Sequence, residues 1–233
     1  MKNINKKIGI IGGIGPQSTN YIYKKIIYLS QKKYGAKNND DYPEIVIHSI
    51  PIPDFISDKT KINEALRMLK GSVKLLNNAG VSRLAIGSNT VHILKPELEK
   101  VTQVKFISTI ELVAKKCAKR NYKTVALLGS PVLIKSAIYE KELVKYKIKT
   151  LIPNEQEITV LDHMIRSVLA GKKEHEKRKE YVQLINRLYS EGAEAIILGC
   201  TELPMAINYE ALGDKMLNSD EILAEGIVDY YYS

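Results

Sequence analysis

The chain has 233 residues with 45% hydrophobic and 26% charged side chains, enough to bury one large core or two smaller ones and ordinary for a soluble fold. No apolar run approaches the roughly 18 residues that cross a bilayer, which argues against a membrane-spanning protein. The net charge of +9 raises nucleic-acid binding, but the lysines are scattered, and the one dense run, Lys172 to Glu180, is interleaved with acidic residues like a solvated helix face.

In chain order, Met1 to Lys7 is charged, and the apolar run behind it is short and glycine-rich. It reads as a buried strand closed by Gly12-Gly13 and not as a secretory leader, so a cytoplasmic location is expected. Pro16 suits the first position of a helix whose face carries Ile22, Tyr23, Ile26, Ile27 and Leu29. Gly13-x-Gly15-x-x-Ser18 is similar to a dinucleotide fingerprint. Its third glycine is missing, and no acidic residue ends a second strand about 20 residues on, so no cofactor is expected. The glycines suit either an anion at the helix start or a tight turn.

Glu44 to Ile50 is the second strand, left through Pro51-Ile52-Pro53-Asp54-Phe55. A helix over about 61–79, with Ala65, Leu66, Leu69, Val73 and Leu76 as its buried stripe, is stopped by Gly80. Val81 to Ile86 is a third strand and Lys105 to Ile110 a fourth, followed by a helix over 111–120 in which Cys117 serves packing or surface. The only other cysteine is Cys200, so a structural disulfide is not expected.

The plan then repeats. Thr124 to Ser130 copies the glycine-ended first strand, and Ala193 to Cys200 copies Ser82 to Ser88, at nearly equal spacing, which argues for duplication. Between them lie a strand over 146–152, a helix from about Glu157 to Ala170 closed by Gly171, and a second helix reaching Gly192. After Pro204 the chain runs through Asn208 to Leu217 into a last helix capped by Asn218, with Glu221 three residues on. That helix has no partner strand in the second half and is expected to pack on the first. Strands alternating with helices predict a mostly parallel sheet in each half, with ligands at the carboxyl ends of the strands. Ser88 and Cys200 both stand at such ends.

Ile10-Ile11-Gly12-Gly13-Ile14-Gly15-Pro16, Asn89-Thr90-Val91-His92, Gly129-Ser130 with Ser136-x-x-Tyr139, and Leu198-Gly199-Cys200-Thr201-Glu202-Leu203 span nearly the whole chain. Together they resemble the aspartate/glutamate racemase family of cofactor-independent amino acid racemases. The resemblance implies an α/β fold of two flavodoxin-like parallel-sheet lobes related by a pseudo-twofold axis, with the active site in the cleft between them. The first lobe would take residues 1–106 with 210–233 and the second 107–209. It also implies a homodimer, no cofactor or metal, and an amino acid as the small-molecule partner, with no nucleic acid and no membrane.

By the same resemblance, one thiolate removes the α-proton while a thiol on the other face supplies one. Cys200 is then one acid/base group and Ser88 occupies the position of the other. Asn89, Thr90 and Thr201 would hold the α-carboxylate, with Gly13, Ser130 and Glu202 also lining the substrate. Lys172 would meet a side-chain carboxylate, unless it is a solvated charge at a lysine-rich helix start.

Two departures follow. The family position before Asn89-Thr90 is usually Cys, and a serine hydroxyl is a far weaker acid than a thiol of pKa about 8.5. Ser88 would need an activating partner, and His92 is the nearby candidate. Ser88 reads either as an engineered replacement or as the native residue of a slow or one-directional member. Phe55 stands where some aspartate-preferring relatives carry Arg, which loosens the case for aspartate and leaves glutamate or a less polar amino acid open. A single-cysteine decarboxylase or isomerase, and a non-catalytic amino acid binder, are the competing readings.

Overall fold

The computed structural model describes residues 6–57, 59–172, 177–206 and 215–233. The chain divides into two compact units, one of residues 1–54, 60–109 and 220–233, the other of 55–59 and 110–219. The lobe boundary expected at 209–210 lies outside the described residues, as do the loop from Asn208 and the centre of the lysine-rich run.

The first unit is built on β1 (Lys7–Gly12), whose Ile8, Ile10 and Ile11 are buried. Full burial of such a side chain contributes about 1.5–3 kcal/mol, which is why a short isoleucine-rich run takes the middle of a sheet. Pro16 opens α1 (Pro16–Tyr34) at its first position. β2 (Glu44–Ser49), α2 (Ile62–Asn78), β3 (Arg83–Ile86), the short α3 (Lys95–Glu99) and β4 (Phe106–Ile107) follow, and α4 (Thr109–Lys119) then carries the chain into the second unit. The sheet order is β2-β1-β3-β4, all parallel, with Ile8 opposite Ile45 and Ile11 opposite Ile86.

Some expected stripes shift. On α1, Ile22 and Ile26 are buried but Tyr23 is exposed, because Ser18, Thr19 and Ser30 fill the inner face instead. On α2, Ser72 joins Ala65, Leu69, Val73 and Leu76, and Leu66 is only half-buried.

The second unit repeats this plan with β5 (Thr124–Leu128), α5 (Pro131–Ser136), α6 (Ile138–Leu143), β6 (Lys149–Leu151), α7 (Glu155–Leu169), α8 (Arg178–Ser190), β7 (Ala195–Leu198), α9 (Leu203–Ala206) and β8 (Met216–Asn218). Its order, β6-β5-β7-β8, is also all parallel. Two parallel four-stranded sheets of the same order are the expected duplicated α/β architecture.

β6 starts later than expected, since Val144–Tyr146 forms a 3-10 turn and Lys147 adopts a left-handed φ of 59°. β8 corrects the expectation that the second half lacks a strand before the last helix. Ser219 Oγ donates to the Leu198 carbonyl at 2.7 Å and ties β8 to β7. The last helix, α10 (Ser219–Tyr232), then belongs to the first unit, as expected: Ser18 Oγ donates to Asp220 at 3.1 Å, and Tyr21 and Lys25 both reach Glu221 at 2.6 Å. No helix among the described residues is long and apolar enough to cross a membrane.

Candidate active site

In each sheet the chain leaves the central strand to one side and returns on the other. The switch points, where loops diverge and open sheets bind ligands, therefore lie between β1 and β3 and between β5 and β7. In the first unit the Gly87 N–H donates to the Ile11 carbonyl at 2.9 Å, and Ser88, Asn89 and Thr90 leave the sheet at that switch, all three buried. Gly13 closes the neighbouring strand with φ of 86°, and a Cβ there would stand 2.5 Å from the Ile50 backbone nitrogen, so only glycine fits. Its N–H donates to Thr19 Oγ1 at 2.9 Å.

His92 does not activate Ser88. Its Nδ1–H donates to the Ser88 carbonyl at 2.9 Å and its Nε2 accepts from the Thr109 N–H at 3.2 Å. Both ring nitrogens are thus committed to backbone, which fixes a neutral tautomer. Ser88 Oγ has no hydrogen-bond partner among the described residues. Burial holds the His92 pKa down to about 4, against the backbone carbonyls of Ser88 and Asn89, which favour the charged ring.

This has a consequence for stability. Because the folded pKa lies below the unfolded value of about 6.5, only the unfolded chain takes up a proton as pH falls through that window. Stability that is intact above about pH 6.5 should fall by up to about 3 kcal/mol by about pH 4. Thermal unfolding across this range checks it: His92→Asn, which keeps a donor for the Ser88 carbonyl, should lose that part of the pH dependence, and an unchanged slope counts against the assignment.

In the second unit the Gly199 N–H donates to the Leu128 carbonyl at 2.7 Å, the counterpart of the Gly87 bond. A Cβ on Gly199 would meet Leu127 Cδ1 at 2.9 Å and the Leu128 oxygen at 3.0 Å, so the strand can approach its neighbour only through glycine. Cys200 follows, 7% exposed and packed in the same core as Met164, Tyr181 and Leu203. Its Sγ donates to Glu202 Oε2 at 3.1 Å, and Thr201 Oγ1 donates to the same oxygen at 2.7 Å. Ser130, at the end of the neighbouring β5, is fully buried and caps α5 by accepting from the Leu133 N–H at 3.3 Å. Cys117 is fully buried in α4, with its thiol pushed up to about 12 by burial, which settles it as packing.

Lys172 stands on a different element, after the left-handed Gly171 that ends α7, and is exposed. It lines a pocket of about 440 Å³ along α7 with Asp162, His163 and Arg166. Arg166 is bridged to Asp162 at 3.0 Å, and Ser57 donates to Asp162 at 2.6 Å, pinning the segment after the proline loop to α7. In that segment Phe55 is 2% exposed and sits in the core. His163 and Arg166 were not singled out from the sequence; the Asp162/Arg166 spacing of four residues was the available signal. Tyr181 was missed as well, since an amphipathic stripe gives no sign that a hydroxyl will be buried.

The model of the Asp/Glu/hydantoin racemase family matches residues 11–223, nearly the whole chain and both strand-end turns. The chain belongs to that family. Among its relatives, the broad-specificity amino-acid racemase RacX of Bacillus subtilis (strain 168) is 31% identical over 232 residues, covering 96% of this chain and 97% of RacX. The crystal structure of an aspartate racemase homologue from Pyrococcus horikoshii OT3 aligns with a TM-score of 0.79 at 33% identity, covering 98% of this chain and 100% of the homologue. The aspartate racemase of Picrophilus torridus aligns at 0.83 with 28% identity, covering 97% and 94%. The two parallel sheets of this racemase-family protein match the fold of those relatives.

Proposed function

We propose that this protein is a cofactor-independent amino acid isomerase that works on aspartate or glutamate with one thiol, Cys200, and a serine, Ser88, at the mirrored strand end. The observation that carries this reading is the asymmetry of the two turns. Cys200 is a thiol that donates a hydrogen bond to the Glu202 carboxylate, whereas Ser88 Oγ has no base, because His92 is spent on backbone groups. The names of the relatives, a broad-specificity amino-acid racemase and an aspartate racemase, support an amino acid as substrate.

In this reading Asn89, Thr90 and Thr201 hold the α-carboxylate, Ser130 fixes the Gly129 turn by capping α5, and Lys172 meets the side-chain carboxylate. Phe55 brings no charge. The Cys200 thiolate removes the α-hydrogen from one face. The C–H bond breaks, an S–H bond forms, and the electron pair stays on the α-carbon, stabilised through the bound carboxylate. Ser88 on the other face is too weak an acid to return a proton readily. The carbanion therefore recovers its hydrogen from Cys200 after that thiol has exchanged with solvent.

The expected result is exchange without inversion. In deuterium oxide, the α-proton NMR signal of one enantiomer of aspartate or glutamate disappears while its optical activity is kept. No exchange from either enantiomer of either amino acid overturns the reading. Ser88 also favours a single-thiol decarboxylase, which needs only one protonating group; release of carbon dioxide from a malonate-type acid, with no amino acid exchange, would select that alternative.

A further inference from the structure

Thr109 is the last residue of the first unit and the first of α4. It is 2% exposed, and its Oγ1 has no hydrogen-bond partner among the described residues. Such atoms are rare, because a buried hydroxyl without a partner has lost its water and gained nothing in return, so each calls for an explanation. Among the described residues the other unpaired buried side-chain atoms belong to Glu140, Thr150 and Tyr181, all in the second unit. Thr109 is the one beside the Ser88 turn.

Two observations place it there. β3 and β4 run parallel with Ala85 opposite Ile107, so the chain leaves β4 through Ser108 and Thr109 at the same end of the sheet where it leaves β3 through Gly87 and Ser88. The Thr109 N–H then donates to His92 Nε2 at 3.2 Å, while Nδ1–H of the same ring donates to the Ser88 carbonyl at 2.9 Å. One imidazole thus sets the spacing between Thr109 and the Ser88-Asn89-Thr90 turn. With its N–H committed to His92, the donor that Thr109 has left is its hydroxyl.

We propose that Thr109 is a further substrate-binding residue, whose hydroxyl donates to the α-carboxylate beside Asn89 and Thr90, and that His92 is the positioning residue that holds it there. The inference rests on the amino acid reading above. The carboxylate is favoured over the substrate's ammonium group because Thr109 opens α4, and the partial positive charge of a helix N-terminus draws an anion and repels a cation. Asn89 and Thr90 are as enclosed as Thr109, at 3% and 4% exposed, so a ligand admitted to the turn is admitted to the same depth. Because the hydroxyl bonds to nothing within the fold, removing it should cost the fold little, which separates a ligand contact from a structural one.

Isothermal titration calorimetry of the full chain with each enantiomer of aspartate and glutamate tests this, followed by the tightest binder's α-amide, which lacks the α-carboxylate charge. Thr109→Val keeps the shape and removes the hydroxyl. Its affinity for the amino acid should fall about 10–100-fold, as for a lost hydrogen bond to a charged group, and its affinity for the α-amide by less than about threefold. Thr109→Ser should recover most of the loss, and the melting temperature of Thr109→Val should be unchanged or higher. His92→Asn, which keeps the donor to Ser88 but not the acceptor for the Thr109 N–H, should weaken amino acid binding in the wild-type background and add little to Thr109→Val, since it acts through Thr109. Equal amino acid affinity in wild type and Thr109→Val overturns the inference and leaves the amino acid reading standing, as does an equal loss for acid and amide. Wild-type protein that binds none of these amino acids overturns both. Should Thr109→Val fail to fold, Thr109→Ala is titrated with the same two ligands; the same selective loss is expected, and undiminished binding again overturns the inference.

Discussion

Ser88→Cys is expected to turn a one-sided exchanger into a racemase, raising interconversion of the enantiomers of aspartate or glutamate by about 10²–10⁴-fold. The backbone for this change is in place. β3 ends in Gly87, whose N–H is held by the Ile11 carbonyl, and Asn89 and Thr90 follow in a buried turn. Only the reacting atom differs. The serine hydroxyl cannot borrow basicity from His92, because both ring nitrogens are hydrogen-bonded to main chain and burial keeps the ring neutral. A thiol needs no such help, since its own pKa of about 8.5 leaves a usable thiolate fraction near neutral pH, and each pKa unit gained is worth about 1.36 kcal/mol. The measurement is the decay of optical rotation of each enantiomer. A folded Ser88→Cys protein that still exchanges one enantiomer but does not racemise shows that position 88 is not the second acid/base site.

The repeat of glycine-ended strands was enough to place the architecture and both strand-end turns, because burial on both faces of a parallel sheet leaves short runs of Ile, Val, Leu and Ala that end abruptly at the switch loops. What escaped was decided by tertiary contact or by very short elements. β8 is three residues long, and pairing with β7 defines it where no periodicity could. α7 begins two residues earlier than its apolar stripe suggested, since Asn154 and Glu157 form a reciprocal capping box. Tyr23 fits the helical period but faces outward because Ser18, Thr19 and Ser30 pack inward, a choice set by what faces α1 and not by polarity. At the candidate site, residue types were legible and their partners were not. His92 stood near Ser88 in sequence as a candidate partner; only side-chain geometry shows that its ring is bound to backbone, and that Glu202 accepts from the Cys200 thiol.

Removing the thiol of Cys200 should produce the complementary loss. Cys200→Ser keeps the small polar side chain and a donor for Glu202, so thermal stability should change little, by about 1 kcal/mol or less. Exchange of the α-hydrogen should nevertheless fall by about 10²–10⁴-fold, since no thiol stands at either strand end. Combining it with Ser88→Cys sharpens the test. The double variant again has one thiol, now after β3, so exchange should return weakly and select the opposite enantiomer, because the opposite face of the α-carbon is served. Deuterium exchange into each enantiomer separately reads this directly. Return of exchange with the original enantiomer preference would mean that the two positions do not serve opposite faces, and the two-sided mechanism would have to be abandoned even though the family assignment stands.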